Sequence, residues 1–532
     1  MFKKIRKIAF IPAFSLMVLA LIYNLIDQEG FLAMATAAND WLMTYFGWGY
    51  ALTAFLSITT VVVIYFSPLG KVRLGGPDAK PMINKRNWFA ITLCTTLAAG
   101  LLFWGTAEPM YHLSAPPASM GIEPFSAEAA KFAMETMFLH WTFVPYALYA
   151  IPTIMFGFAF YNMKKPFSVS SQLAPITGKI EGETFSQIID AICLFCLGLG
   201  FAASMATSII NMGGAVNSIF GLKSGPLVWG VIAIIGITAF IISSSTGLER
   251  GIKLLSDINM KVYFVIMLFL FIVGPTIYNL NIGVEGFGGF LNGIFDKILF
   301  TGAAAGDPWP TWWTTFYWAN WMSWAPVSAL FLARIARGYT IKDVIKMNFF
   351  YPGIFGGIWM TIFAGTAINF QMTGRIDLVS ILNNQGPEAV GYAILRELPL
   401  ASIIIPFFLF ITMITFITAA DSTTNAIAGC CTKGIDENNQ EAPIFMKVIW
   451  GAGLGAIAYI MLSLAGITGI KTLSNVGGFT ATMLTLGVIV SLYKVMGNVS
   501  KYDVFSKEYI KVELESTSTE TTSIKTIENK EI

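Results

Sequence analysis

The chain has 532 residues, of which 55% are hydrophobic and only 12% are charged. A soluble globular chain carries about 25% charged residues, so the composition excludes a soluble enzyme or a nucleic-acid-binding protein. The net charge of +2 gives no strong overall field toward a polyanionic partner. At roughly 20 apolar residues per crossing, the composition is typical of a chain that crosses a membrane many times.

Apolar runs of membrane-spanning length recur along almost the whole chain. Each is long enough for a helix that crosses the hydrocarbon core, and polar or turn-forming segments separate them. The runs predict an all-α polytopic membrane protein with twelve transmembrane helices, at about residues 8–26, 43–66, 88–113, 136–161, 187–218, 225–246, 258–279, 312–333, 349–371, 400–429, 445–467 and 473–495.

Basic residues are concentrated in alternate loops. Most of the 33 lysines and arginines fall before the first run, after even-numbered runs or beyond the last run. Because cytoplasmic loops are enriched in lysine and arginine, this bias predicts that both termini are cytoplasmic. The sequence therefore favours a multi-pass protein of the plasma (cytoplasmic) membrane, surrounded by the lipid bilayer.

The spacing of the runs suggests five regions. Two peripheral helices precede ten others, which form two five-helix units of opposite topology because five is odd. Polar residues mixed with apolar ones between the units predict an amphipathic interfacial helix, and the polar end of the chain predicts a disordered cytoplasmic tail. The predicted boundaries are 1–87 for the N-terminal segment, 88–280 for the first unit, 281–311 for the interfacial helix and loop, 312–497 for the second unit and 498–532 for the tail.

Broken helices are expected at corresponding positions of two such inverted units, where binding sites tend to lie. The third run, around 98–109, and the eighth run, around 316–326, combine glycine, proline and polar residues with aromatic ones. Both runs are therefore predicted to be interrupted at mid-membrane depth.

Aromatic residues are concentrated on the eighth and fourth runs. Trp318, Trp321 and Trp324 are spaced three apart, which places them on about one helical face. The fourth run carries a second set, Trp141, Tyr146 and Tyr149. Ring faces that converge on one volume bind a cation through their quadrupole, and a quaternary ammonium suits this best because it cannot donate hydrogen bonds. Simple packing of the aromatic residues is the alternative.

Several motifs occur in the order found in a known transporter family. Phe103-Trp104-Gly105 precedes Glu108-Pro109, and the fourth run contains His140-Trp141. Residues 314–326 read TTFYWANWMSWAP, and residues 331–338 read FLARIARG. On these motifs the sequence resembles the betaine/carnitine/choline transporter (BCCT) family over roughly residues 8–495.

The resemblance implies a LeuT-type fold with inverted five-helix repeats, two extra N-terminal helices and a homotrimer. It also implies alternating access and an aromatic cage for the trimethylammonium-type group of a small cationic or zwitterionic substrate. Matched by motif, the cage consists of Trp141, Tyr146, Tyr149, Trp318, Trp321 and Trp324, with Tyr111 as a further position.

Two cage positions depart from the family pattern. Asn320 stands where a tryptophan is usual, just before Trp321, and Tyr146 also replaces a tryptophan. Both changes make the region more polar. The carboxamide of Asn320 can donate to a carboxylate or hydroxyl of the substrate, so we expect cation recognition to be kept while the rest of the ligand differs.

The sodium-site motifs also depart from those of sodium-coupled members. Those members carry a motif similar to Gly-x-Gly-x-Gly on the third helix. The matching residues of this chain are 96–100, in which Gly100 is the one glycine that remains. On the tenth helix the family hydroxyl pair is reduced to Thr418, because Ala419 cannot ligate an ion. Phe201 stands where a family threonine is expected. These losses predict a sodium-independent transporter that works by exchange or with protons.

Three charged residues are coupling candidates beside Thr418 and Ala419. Glu108 and Asp421 are acidic residues within membrane runs and are candidates for carrying protons, with structural hydrogen bonding at helix ends as the alternative. Arg250 is a candidate fixed positive charge in place of sodium, or else a cation at a helix end. His140 is expected to be a hydrogen-bonded structural imidazole.

Other functions remain as alternatives. A sodium-coupled symporter would need other oxygen ligands, for example Thr418, Ser204 and backbone carbonyls. A transport-deficient membrane sensor is disfavoured because no signalling domain follows residue 500. Enzyme activity, a cofactor and a bound metal are not expected, because the chain has only two histidines and the sequence suggests neither a metal-ligand cluster nor a nucleophile–base pair.

Overall fold

The computed structural model describes residues 5–178, 183–245, 248–435 and 442–508, except for the side chains of residues 97–99, 245–253 and 327. Within these ranges the chain is helical, and strand-like pairing is confined to two isolated bridges, Ile5 with Thr432 and Arg73 with Thr340. The predicted all-α fold is confirmed.

In the part of the chain that the structure describes, thirteen helices have fifteen or more residues. They are labelled in chain order as α1 (Lys7–Ile26), α2 (Gln28–Phe66), α3 (Lys85–Ser114), α4 (Ala127–Trp141), α5 (Phe143–Gly157), α6 (Glu183–Phe220), α7 (Pro226–Ser245), α8 (Leu248–Val273), α9 (Thr276–Asn292), α10 (Thr314–Ile335), α11 (Tyr351–Met372), α12 (Ala401–Cys430) and α13 (Ile444–Gly497).

The described residues contain nine helices, or pairs of joined helices, that are long and apolar enough to cross a membrane. The two arms of α3, Lys85–Thr96 and Gly100–Ser114, are bent by 53° and together make a tenth span. The 54-residue α13 is interrupted at Gly466, whose φ of 53° and ψ of −130° are not helical. At about 1.5 Å per residue, α13 is more than twice as long as the hydrocarbon core is thick, so its two arms suit separate crossings. The count of twelve stays a prediction.

Of the two helix breaks predicted from the sequence, one is found in the structure and the other is not. The bend in α3 lies where the third run is predicted to break. The eighth run, however, forms one continuous helix, α10, with Pro326 inside it, so the prediction of a break there was wrong.

A break not expected from the sequence separates α4 from α5 at Thr142, which has φ −114° and ψ −120°. In a continuous helix the N–H of residue 145 would donate to the carbonyl of Trp141. Pro145 has no N–H, and its ring would clash with that carbonyl. Trp141 is therefore the last residue of α4.

The helices that surround the central cavity pack directly against one another. The long α13 lies along α6 and α10, and α10 also packs against α5. The arms of α3 contact α4, α6 and α11. Of the two N-terminal helices, α1 lies against α6, and α2 packs against α5 and α13. Side chains from several chain segments thus meet in the middle of the bundle.

Arg6 fastens the N-terminal segment to two of these helices. Its Nη1 atom lies 2.5 Å from Asp190 Oδ2 on α6 and 2.7 Å from the carbonyl oxygen of Cys430, the last residue of α12. Ser168 also donates to Asp190 at 2.8 Å. Since Arg6 and Asp190 are both buried, this ion pair is part of the protein interior.

Two predicted boundary regions can be compared with the helices found there. The region assigned to the interfacial helix contains α9 and the short helix Ile294–Leu299, and α9 begins at Thr276. In the predicted tail, residues 499–502 form a helix, and Asp503 accepts a hydrogen bond from Asn162 at 3.2 Å. Residues 509–532 lie outside the described chain.

Candidate functional site

A small cavity of about 40 Å³ lies among α3, α4, α5, α6, α10 and α13. Aromatic rings, hydroxyl groups and one carboxamide form most of its wall. None of the lining residues, all within the described chain, is charged. They are Thr95, Thr96, Gly100, Trp104, Trp141, Tyr149, Ser204, Thr207, Phe316, Asn320, Trp321, Trp324 and Ile470.

Three of the predicted cage rings meet at nearly right angles in this cavity. The ring centroids of Trp141 and Trp321 are 5.2 Å apart at 88°, and those of Tyr149 and Trp321 are 6.0 Å apart at 76°. Trp324 also lies in the cavity wall, and its ring centroid is 5.6 Å from that of Phe201. The phenylalanine that replaces an expected family threonine thus supports a cage ring.

Three other predicted positions are absent from the cavity wall. Trp318 is fully buried, and its Nε1 donates to the carbonyl of Ile298 at 3.4 Å. Tyr146 is buried beside Gly356 on α11. Tyr111 packs against Trp313 with a centroid distance of 4.9 Å. The structure places these rings behind or beside the cavity.

Asn320 lies in the wall with its amide oriented by a neighbour. The hydroxyl of Ser474 on α13 donates to Asn320 Oδ1 at 2.9 Å. This bond occupies the amide oxygen, so the Nδ2 group is the part of the carboxamide left to donate to a ligand.

A hydrogen-bonded cluster lies directly behind Trp141, with Glu108 at its centre. His112 Nε2 and His140 Nδ1 lie 3.0 and 2.7 Å from Glu108 Oε1. Trp141 Nε1 donates to Oε2 at 2.6 Å, and the hydroxyl of Tyr317 donates to the same oxygen. All five side chains are buried. The Glu108 carboxylate therefore accepts four hydrogen bonds in the protein interior.

The cluster brings together side chains of metal-binding types, contrary to the expectation of no such cluster. The ligand atoms of Glu108, His112 and His140 all lie within 4.8 Å of one another. The carboxylate lone pairs are already used by N–H and O–H donors, however, and His140 Nε2 lies 3.1 Å from Thr314 Oγ1. The residues thus fit a hydrogen-bonded network and do not fit a metal-binding site.

The candidate coupling residues on α12 lie outside the cavity wall. The hydroxyl of Thr418 donates to the carbonyls of Ile414 and Thr415, both at 3.0 Å. The neighbouring Ala419 is buried. Asp421 accepts hydrogen bonds from Ser243 and Ser244 on α7, at 3.1 and 2.5 Å. The side chain of Arg250 lies outside the described residues, as do those of Leu97 and Ala99.

Several residues of the site were not singled out from the sequence. Thr95, Thr96 and Thr207 add hydroxyl groups to the wall. Lys471 lies with Nζ 3.9 Å from the ring centroid of Trp313, and its ammonium donates to the carbonyl of Trp312. For His112 the sequence did offer a signal. It follows Glu108 by one helical turn, and this spacing places the two side chains next to each other.

Long apolar helices around an uncharged, aromatic-lined cavity define the class of polytopic membrane proteins. Residues 8–501 match the model of the betaine/carnitine/choline family transporter, BCCT. The chain belongs to this family, as the sequence motifs indicated. The predicted LeuT-type arrangement of inverted five-helix repeats agrees with that membership.

Curated relatives match most of the chain. It is 28% identical over 494 residues to an ectoine/hydroxyectoine transporter of Virgibacillus pantothenticus, covering 92% of this chain and 96% of the relative. It is 29% identical over 479 residues to the glycine betaine transporter OpuD of Bacillus subtilis, covering 89% and 91%. A solved Na⁺-coupled sialic acid symporter aligns at 14% identity, covering 85% of this chain and 86% of that one, with a TM-score of 0.47.

Proposed function

We propose that this protein is a secondary transporter of quaternary ammonium compounds that works by sodium-independent exchange through alternating access. The observation that carries the proposal is the cavity wall, in which the rings of Trp141, Tyr149, Trp321 and Trp324 meet without a charged side chain. We further propose that it acts as a homotrimer in the cytoplasmic membrane with both termini in the cytoplasm.

The chemistry of the wall suits a methylated ammonium group. Such a cation cannot donate hydrogen bonds, and the quadrupoles of desolvated indole rings attract it by about 2 kcal/mol or more at a good contact. The Nδ2 group of Asn320 and the hydroxyl of Thr95 supply donors for a carboxylate or hydroxyl on the same ligand. Glycine betaine, carnitine and choline combine these features, and relatives transport glycine betaine and ectoine.

Sodium independence rests on the substitutions at the ion-site motifs. Ala419 carries a methyl group where sodium-coupled members place a hydroxyl, and residues 96–100 keep one glycine of three. A sodium-coupled symporter is the second candidate. It is favoured by the hydroxyls of Ser204, Thr207 and Thr96 in the same wall, because sodium prefers oxygen ligands.

The test is uptake of labelled glycine betaine, carnitine and choline into proteoliposomes. Each compound is measured with and without a sodium gradient, and with and without the same compound inside the vesicles. Uptake that is the same with and without a sodium gradient, and that depends on substrate inside the vesicles, supports the proposal. Uptake that collapses without sodium supports the symporter, and no uptake or binding of any compound contradicts the proposed substrate class.

A further inference from the structure

We propose that the buried cluster of Glu108, His112 and His140 is a proton-binding site, and that its protonation opposes the binding of a cationic group in the adjoining cage. This inference rests on the proposed function, because it names an ion that is linked to the substrate. Two observations support it: the hydrogen bonds within the cluster, and the direct contact of the cluster with Trp141.

The hydrogen bonds assign one proton arrangement to the cluster. An ionised Glu108 accepts from His112 Nε2–H and His140 Nδ1–H at one oxygen, and from Trp141 and Tyr317 at the other. His140 Nε2 then accepts from the hydroxyl of Thr314. Both imidazoles are neutral in this arrangement, so the cluster carries one negative charge.

One basic position in the cluster is left without a partner. His112 Nδ1 is buried and has no hydrogen-bond partner among the described residues. It points away from Glu108, because the other ring nitrogen makes that contact. A proton that binds Nδ1 breaks no existing hydrogen bond and forms an imidazolium paired with the carboxylate. The net charge of the cluster changes from −1 to 0.

Two contacts connect this charge to the cage. The indole of Trp141 donates to Glu108 at 2.6 Å, and Trp321 Nε1 donates to the backbone carbonyl of His140 at 3.1 Å. An indole whose N–H donates to an anion has a more electron-rich ring, which binds a cation better. Protonation of His112 removes the net negative charge behind the ring. The substrate cation and the proton therefore disfavour each other, and linkage makes the effect reciprocal.

Other charged and titratable groups face the cluster from the surrounding helices. Lys471 on α13 lies with Nζ 3.9 Å from the ring centroid of Trp313, and that ring lies 4.8 Å from the ring of His112. Tyr317 on α10 is a hydrogen-bond donor to Glu108. The buried acid Glu388 lies on the helix Pro387–Arg396, which packs against α3. Lys471 is thus the cation among these groups, and the tyrosine phenols are neutral. Among the charged groups of the described residues named here, Glu108 is the one that accepts a hydrogen bond from the cage indole of Trp141.

The experiment measures substrate binding and proton release by the full-length protein in sodium-free, weakly buffered detergent solution. Glycine betaine and choline are the probes, tryptophan fluorescence gives their Kd, and a pH indicator reports released protons between about pH 4 and 8. We expect affinity to rise with pH by up to about tenfold per pH unit, the limit for one linked proton. Binding should release up to about one proton per substrate.

Variants separate the cluster from other acids. Glu108→Gln and His112→Gln should each flatten the pH dependence of Kd and abolish proton release. Glu135→Gln is the matched control, because Glu135 is a buried acid on α4 that pairs with Lys297 at 2.9 Å, outside the cluster. It should keep the wild-type slope.

The outcomes distinguish the two proposals. Wild-type binding with a pH-independent Kd and no proton release would overturn this inference and leave the proposed function standing. The inference is also overturned if Glu108→Gln and His112→Gln bind substrate and keep the full slope. If either variant fails to fold, the pH titration of the wild-type protein still decides whether substrate binding is linked to a proton. No binding of either probe at any pH would overturn the proposed function and this inference with it.

Discussion

Trp321 Nε1 donates a hydrogen bond to the backbone carbonyl oxygen of His140 over 3.1 Å. This bond joins α10 to the end of α4, next to the break at Thr142. The same indole stands perpendicular to Trp141 across the cavity. One side chain thus forms part of the cage and holds two of its helices in register.

Trp321→Ala should weaken substrate binding by about 30-fold or more, because a desolvated cation–π contact is worth roughly 2 kcal/mol. Trp321→Phe should retain part of the affinity, since it keeps a ring but loses the N–H donor. Equilibrium binding of glycine betaine measures both. Trp312→Ala, which removes an exposed indole outside the cavity, should bind as the wild type does. Unchanged affinity in Trp321→Ala would remove Trp321 from the site.

Asn320→Ala should shift selectivity more than it lowers affinity for the cation itself. A hydrogen bond from the Asn320 amide to a carboxylate is worth about 1.5–3 kcal/mol, and tetramethylammonium has no group to accept it. The ratio of glycine betaine to tetramethylammonium affinity should therefore fall about tenfold or more. Ser474→Ala, which loses the bond that orients the amide, should give a smaller change in the same direction. An equal loss for both ligands would contradict this role.

Restoring one hydroxyl on α12 should not create sodium dependence. In Ala419→Ser the new oxygen lies beside Thr418, but the glycine run on α3 is still missing. We expect uptake by this variant to be equal in sodium and potassium buffers, as for the wild type. Ala420→Ser on the same helix is the matched control. Sodium-stimulated uptake in Ala419→Ser alone would mean that the remaining oxygens already form most of an ion site.

Two adjacent glycines on α11 should respond differently to alanine. A Cβ at Gly356 would lie 2.4 Å from the backbone carbonyl oxygen of Trp141, whereas a Cβ at Gly357 would meet side-chain atoms at ordinary distances of 3.6 Å. Gly356→Ala must therefore push α11 away from the end of α4 and should lower both the melting temperature and substrate affinity. Gly357→Ala should leave both near the wild-type values. Thermal unfolding and binding assays of the pair test this packing.

The buried ion pair between Arg6 and Asp190 should matter far more for stability than an exposed pair. Removing one partner of a buried pair costs about 3–5 kcal/mol, because the other charge is left in the interior. Arg6→Ala should therefore melt well below the wild type. Lys85→Ala, which removes an exposed partner 3.4 Å from Asp343, should cost under about 1 kcal/mol. Equal melting temperatures for the two variants would contradict the assigned role of Arg6.

Much of the fold and part of the site could be predicted from the sequence. The length of the apolar runs predicts most of the helices, and the family motifs identify Trp141 and Trp321 as residues of the cavity. The spacing argument was incomplete for Trp318. At about 100° per residue, six positions along α10 rotate Trp318 by about 120° from Trp324, so the two cannot share one face. The helix break at Thr142 was readable from Pro145, and the four-residue spacing of Glu108 and His112 already indicated contact.

What the sequence could not give is the set of contacts between distant segments. The hydrogen bonds from Trp141 and Tyr317 to Glu108 depend on how α3, α4 and α10 cross. Ser474 reaches Asn320 from α13, 154 positions further along the chain. No local periodicity encodes such pairs, because they arise only when the helices are packed.

The contacts of Arg6 also link the N-terminal segment to two helices that are far apart in the chain. Asp190 lies on α6 and Cys430 ends α12, and these helices fall in different predicted five-helix units. A rocking movement of one unit past the other at this end must either carry the arginine along or detach it from one side. If the two predicted units move against each other, the N-terminal segment would therefore restrain that movement without lying in the cavity wall.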